Sequence, residues 1–355
     1  MKKSLIALAV LAAAGAASAQ SSVTLFGVVD ATYQYTSATN GGSVTRLTNS
    51  GLNSSRLGVR GSEDLGGGLT ASFWLEGSLN NDDGRTGGSI AAGNQGTSIA
   101  GNSGLNFNRR STVSLSGGFG EVRLGRDYVP AFWNHTVFDP FGTNGSGSYS
   151  NVSLAYAGNT GVRASNSIGY FLPKNLGGFY GQFMYAMGEN NSSAVNSSDG
   201  NHVGFRVGYA GGPLDVALGY GSTKAAAAGI GKYNNINLGG SYDLGTVKLM
   251  ANWNRETYTS INGDHNTYLL GVSVPMGAGE IRASFAHAKA DFDVSKANQF
   301  AVGYVHNLSK RTAVYATYAN LKNSGVALNY GINGLISPSA NGSSRGLDLG
   351  VRHSF

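Results

Sequence analysis

The 355-residue chain contains no cysteine. That excludes a disulfide framework, a thiol nucleophile and cysteine-ligated zinc or iron–sulfur sites. Proline is scarce, at 6 residues, and without a three-residue glycine period the chain is not collagen-like. Charge is thin as well: 12% of residues, with a formal net of +6. The basic residues form no cluster, so no nucleic-acid partner is expected. No apolar run reaches the roughly 20 residues that a membrane-spanning helix needs. What is abundant is glycine, 55 residues, roughly twice ordinary usage. Glycine weakens helix interiors, which argues against a helical bundle. With 18 Tyr and 15 Phe and little net charge, disorder fits no better. The length suits two soluble domains or one large barrel.

The first residues carry an address. Lys2 and Lys3 precede the apolar run Leu5 to Ala14, and Ala17-Ser18-Ala19 supplies a small-residue cleavage pattern. Residues 1–19 are therefore expected to be a secretory signal peptide cleaved before Gln20. Cleavage leaves residues 20–355, that is 355 − 19 = 336 residues, and the loss of two lysines lowers the net charge from +6 to +4. With no long apolar segment downstream, a mature chain that meets a membrane must do so as a closed β-barrel or at its surface.

From Val23 onward the sequence alternates. Val23, Leu25, Gly27, Val29, Ala31, Tyr33 and Tyr35 share one face, and Thr24, Phe26, Val28, Asp30, Thr32, Gln34 and Thr36 the other. A period of two over that length is a strand. Ser55 to Ser62 and Leu69 to Glu76 repeat the pattern around the turn Gly66-Gly67-Gly68, which reads as a hairpin. The same grammar recurs to the final segment Leu347 to Phe355, giving 16 strands.

Connection lengths and face chemistry separate a membrane barrel from a soluble sandwich. Short links such as Gly117 to Gly120 and Gly211 to Pro213 alternate with long ones such as Asn80 to Asn106 and Tyr128 to Gly161. Outer-membrane barrels have this asymmetry, with short periplasmic turns and long external loops. Tyr33, Tyr35, Tyr185, Tyr209, Tyr220 and Trp253 gather near strand ends on the apolar face, as aromatic girdles do. The opposite face is polar and glycine-rich, which suits a wet lumen and not a sandwich core. Dividing the 336 mature residues by 16 gives 21 per strand, enough for a spanning strand of roughly 10 residues plus its connections. The expected fold is all-β, a 16-stranded antiparallel transmembrane β-barrel enclosing an aqueous channel. Lumen-facing glycines (Gly58, Gly204, Gly208, Gly219, Gly239, Gly303 and Gly350) are expected to leave room there for water.

Several segments resemble one family. Gln20 to Asp30, Ser55 to Gly66, Gly118 to Arg126 and the ending Asp348 to Phe355 are similar to the general porins of Gram-negative outer membranes, most closely their β-proteobacterial branch. The resemblance covers essentially the whole mature chain. It implies a homotrimer in the outer membrane, among its lipids and lipopolysaccharide, with a passive pore in each subunit for ions and small hydrophilic solutes. The terminal aromatic, Phe355, resembles the signal by which the barrel-assembly machinery recognises such chains.

In that family the third external loop folds back and narrows the lumen. Its counterpart is the stretch 127–161, whose Asp139-Pro140-Phe141-Gly142 is similar to the acidic Pro/Phe/Gly motif at the family's constriction. Independently, a loop carrying Phe132, Trp133, Phe138 and Phe141 is too apolar to stand in water and should pack somewhere. Facing the loop, the family sets basic residues, and the matching positions are Arg56, Arg60, Arg110 and Arg163. Alternation by itself puts Arg56, Arg60 and Arg110 opposite the lipid face, where an arginine would cost about 2 to 4 kcal/mol at mid-membrane. Arg123 and Arg206 share that parity, with Glu76, Asp215 and Glu256 as acidic counterweights. Arginines on one wall and Asp139 on the loop would set a transverse field across a narrow opening. Their excess over nearby carboxylates predicts a preference for anions.

Other chemistries lack their residues. The six histidines have no zinc-protease spacing, so no metal is expected. No Gly-x-Ser-x-Gly elbow occurs, which removes the esterase signature. Gly229-Ile230-Gly231-Lys232 lacks the Ser or Thr that a phosphate loop places after its lysine. No catalytic residue and no cofactor is expected. The alternatives are a substrate-specific channel or adhesin and, further off, a barrel hydrolase, for which Asp264-His265, expected in a short loop, is the one close pair.

Overall fold

The computed structural model describes residues 22–88, 90–91, 94, 98–99, 104–153, 160–225, 231–260, 263–291, 295–325, 329–334 and 338–355. The expected signal peptide lies outside the described residues, as do Gly229, Ile230 and residues 154–159 of the third loop. Sixteen antiparallel strands form the wall: β1 (Ser22–Ala38), β2 (Arg56–Gly66), β3 (Leu69–Asn80), β4 (Arg110–Gly117), β5 (Gly120–Tyr128), β6 (Arg163–Phe171), β7 (Phe179–Ala186) and β8 (His202–Gly211) in the first half. The second half is β9 (Leu214–Ala225), β10 (Gly231–Asp243), β11 (Lys248–Tyr258), β12 (Gly263–Met276), β13 (Gly279–Ala290), β14 (Lys296–Asn307), β15 (Thr312–Ser324) and β16 (Ser343–Ser354).

Each strand pairs with its chain neighbours, and the ring closes where Val28 to Ala38 of β1 lie opposite Ser354 to Ser344 of β16. Closure removes the unpaired sheet edges that hydrocarbon cannot hydrate. The alternation read from sequence is the wall's in-and-out pattern. In β1, Asp30, Thr32, Gln34 and Thr36 are buried inward while Val23, Leu25, Tyr33 and Tyr35 are exposed outward. The tight β2–β3 turn places Gly66 and Gly67 at φ of 80° and 60°, left-handed values that favour glycine.

One irregularity matters for the lumen. A short strand, Gly42–Asn49, pairs with the upper part of β1, while β2 pairs with its lower part. Between them residues 50–55 leave the sheet and turn inward. Asp30 holds this bulge, accepting the backbone N–H of Leu52 at 2.8 Å and of Asn53 at 2.7 Å. A second piece of inward chain is residues 329–334, where Ile332 is fully buried. The dry packing of the molecule lies where inward segments meet the wall. Phe141, Tyr149, Val152 and Ile332 pack on Leu269, Leu321 and Ala286, Ala288, Ala297, Ala301 and Ala319.

Candidate functional site

The third loop leaves β5 at Tyr128 and enters the barrel, opening with helix α1 (Phe132–Val137). Phe132, Asn134 and His135 of α1 are buried, while Trp133 and Thr136 line the channel. Asn134 fixes the helix to the wall with both polar atoms of its side chain and with its carbonyl. Its Nδ2 donates to the Ala217 carbonyl and to Asn237 Oδ1, both at 2.8 Å. Its Oδ1 accepts from Arg206 Nε at 2.6 Å, and its carbonyl from Asn252 Nδ2 at 2.8 Å. Beside it, burial pushes the His135 imidazole down to about 3, so the ring is neutral at physiological pH.

After α1, Phe138 is fully buried and the chain turns at Asp139-Pro140-Phe141-Gly142. The Asp139 carboxylate accepts the backbone N–H of Phe141 at 3.0 Å and of Thr143 at 3.1 Å. Its first task is thus to shape the loop tip. Burial pushes it up to about 7, against the pull of those two N–H groups and of Arg282. Further on, the Ser146 N–H and Oγ donate to Asp348 on β16 at 2.6 and 2.8 Å. The loop is therefore tied to both sides of the wall it crosses.

Opposite stands an arginine wall built on aromatic rings. The Arg60 guanidinium lies 5.2 Å from the Phe26 ring centre and 5.0 Å from that of Trp74, and Arg110 lies 4.6 Å from Trp74. Arg163 stacks on Tyr128 at 4.2 Å, Arg123 on Phe171 at 4.0 Å and Arg206 on Tyr180 at 4.7 Å. A ring against the flat face of a guanidinium contributes about 0.5 to 2 kcal/mol, while some of the N–H edges are taken by the protein, most fully at Arg123, which donates to Glu121 and Asp127. Acids compensate part of this charge. Glu76 accepts from Arg109 Nε at 2.6 Å, and Asp127 accepts from Arg123 at 2.5 Å.

A cavity of ≈ 850 Å³ brings Arg56, Arg60, Arg110, Arg163, Glu76 and Asp139 together. Arg123 lines an adjoining cavity with Arg60 and Arg110, and Arg206 another with Glu121 and Lys174. Phe355 sits at the seam, exchanging backbone hydrogen bonds with Gly27 at 3.1 and 3.2 Å. Two charges of the main cavity, Arg109 and Arg282, are absent from the sequence expectation. Arg109 precedes β4, where alternation no longer applies; Arg282 has lumenal parity and was readable from it. The inward parity of Phe26 and Trp74 was equally readable, though not their stacking on the arginines.

Three expectations need correction. The lumenal glycines do not make room for water. A Cβ at Gly58 would meet the Phe26 ring, at Gly208 Tyr180, at Gly350 Tyr315, at Gly239 Phe138, and at Gly219 first the Asn237 side chain and then Ala131. Protein fills those places, because inward rings and the third loop approach the sheet more closely than any side chain there would permit. Asp264-His265 lies on β12, not in a loop, and adjacent strand residues face opposite ways. Asp264 pairs with Arg255 outside, whereas His265 points in and bonds Glu256 at 3.0 Å and Tyr330 at 2.7 Å. Glu256, fully buried in that contact, is no counterweight in the pore.

Residues 5–326 match the model of the Gram-negative porin family. Outer membrane porin protein 32 of Delftia acidovorans is 45% identical over 368 residues, covering all of both chains. An outer membrane porin protein of Bordetella pertussis is 31% identical over 91% of this chain and 95% of its own. Among solved structures, the anion-selective porin from Comamonas acidovorans superposes with a TM-score of 0.82 at 41% identity, over 94% of this chain and 100% of that one. A closed barrel with an inward loop, an arginine-lined channel and relatives matched along their whole length place this chain in the Gram-negative porin family, as a channel-forming protein of the outer membrane.

Proposed function

We propose that the protein is a general diffusion channel for ions and small hydrophilic solutes with a preference for anions. One observation carries the preference: among the described residues, six arginines (Arg56, Arg60, Arg109, Arg110, Arg163 and Arg282) line the main cavity with only two carboxylates, Glu76 and Asp139. In a low-dielectric barrel such an excess concentrates anions and repels cations. Within that set, Arg56, Arg60, Arg110 and Arg163 are the constriction's positive wall and Asp139 its opposing acid. Arg123 and Arg206 extend the positive wall along the channel. Asp139 counts as a full charge only above about pH 7. The anion selectivity named for the 41% identical Comamonas porin supports the same reading.

The remaining parts of the proposal concern assembly. Residues 1–19 are a signal peptide and 20–355 the mature barrel, which intact-mass measurement of the outer-membrane form tests directly. Three barrels associate, surrounded by lipopolysaccharide, after Phe355 has served as the insertion signal. Conductance steps in triplets from the purified protein support the trimer, and single steps throughout count against it. Reversal potential in a planar bilayer under a potassium chloride gradient tests the selectivity. An anion-sided potential at neutral pH is expected; a cation-sided one refutes the preference.

A further inference from the structure

We propose that Gly239 on β10 and Gly271 on β12 are positioning residues for the pore: they seat Phe138 and Pro140 of the third loop against the wall and thereby set how far the loop stands into the channel. The proposal rests on the reading that this loop narrows the channel. A Cβ at Gly239 would lie 2.2 Å from Phe138 Cδ2, and one at Gly271 2.4 Å from Pro140 Cγ. Neither glycine has a left-handed backbone, so the conformation would accept any residue. What excludes a side chain is the loop itself.

Neither neighbour can give way locally. The Phe138 ring is fully buried, and the Pro140 ring is part of the backbone. The loop cannot slide aside either, because Asn134 holds it to Ala217 and Asn237 on one flank, and Ser146 holds it to Asp348 on the other. The direction left open is away from β10 and β12 into the channel, toward Arg56, Arg60 and Arg110. Restoring ordinary contact would move the loop by about 1 Å, and the channel would lose that width.

The test compares single-channel conductance of refolded Gly239→Ala and Gly271→Ala with wild type, with folded barrels verified by heat-dependent gel mobility. Each variant should lose about a third of its conductance. Gly240→Ala, where the Cβ points to the other face, with Asp215 O as its nearest neighbour at 3.3 Å, should conduct as wild type. Adding Phe138→Ala to Gly239→Ala should restore the conductance, a rescue that general damage to the barrel would not show. Wild-type conductance in both glycine variants, or no rescue in the double variant, overturns the proposal. If Gly239→Ala yields no folded barrel, Gly271→Ala decides alone. If neither folds, Phe138→Ala does: the loop should settle and conductance rise, and an unchanged value overturns the proposal. Arg110→Ser separates this idea from the reading beneath it. A selectivity shift there with unaltered glycine variants sinks the seats alone, whereas no shift, in this variant or in Arg56→Ser combined with it, moves the filter away from the loop and overturns the reading that the seats rest on.

Discussion

The two halves of the lumen wall are built from opposite materials. From β2 to β8 the inward positions carry Arg56, Arg60, Arg110, Arg123, Arg163 and Arg206, each but Arg56 stacked on an aromatic ring. From β9 to β16 they carry Gly219, Gly239, Gly271 and Gly303, with fully buried alanines such as Ala286, Ala297 and Ala301. The first half presents long side chains to the solute. The second presents few, Arg282 of β13 being the charged one in the main cavity, because the third loop lies on much of it, and every methylene omitted from the sheet is width returned to the channel. Pore width and most of the pore charge are thus assigned to different strands of one continuous sheet, with Arg282 of β13 the exception.

The sharpest way to break that division is to detach the loop. Asn134→Ala removes two donors and an acceptor from a buried site where Ala217 O and Arg206 Nε lose their partner. Leaving such groups unsatisfied costs about 2 to 4 kcal/mol, enough to raise the frequency of loop release about thirtyfold or more. Open-channel noise and spontaneous closures should increase by that order, while the reversal potential stays anion-sided. A quiet channel would show that the small-residue half holds the loop by packing alone.

Next in size is the charge of the first half. Arg56→Ser combined with Arg110→Ser removes two of the six lining arginines. A unit charge several ångströms from the ion path, partly screened, is worth a few tenths of a kcal/mol to an anion and the reverse to a cation. The anion-to-cation permeability ratio should therefore fall about fivefold. Conductance steps should keep their pattern, since neither residue touches the loop anchors. An unchanged ratio would move the filter to Arg123 and Arg206.

The barrel itself was legible because its evidence is local. Alternation, turn glycines and the short-long rhythm of connections each need only neighbouring residues, and β1, β2 and β16 follow them closely. The arginine wall was half legible, since parity gives the face but not the stacking partner; Trp74 and Tyr128 become visible as partners only once β3 lies between β2 and β4, and β5 beside β6. What the second half does was not legible. Gly239 and Phe138 are far apart in the chain, and a glycine beside a buried ring is written in sequence as it would be beside water. The bulge at residues 50–55 was missed for a related reason: its hydrogen bonds run to Asp30 on another strand.

The smallest charge effect inside the channel belongs to Asp139, which stands between the two halves. Its carboxyl is raised to about 7, so raising the pH through that value adds one negative charge to the lumen, and lowering it removes one. Anion preference should accordingly rise by about twofold between pH 8 and pH 6. Asp139→Asn should flatten that dependence at the higher level. A pH profile in which anion preference grows with pH would invert the assignment.

Outside the lumen the same charges should count for nothing, and Arg255 tests this. It lies on the outward face of β11, paired with Asp264, which also accepts from Thr257 Oγ1 at 2.5 Å. Its side chain is 48% exposed, so the pair is screened and contributes under about 1 kcal/mol. Arg255→Ala should leave conductance and reversal potential at wild-type values and folding within a small margin. The variant removes as much positive charge as Arg110→Ser, so the contrast between them isolates position from charge. A selectivity shift from Arg255 would mean that the rim's field reaches the ion path, and that the first half of the wall is not the filter by itself.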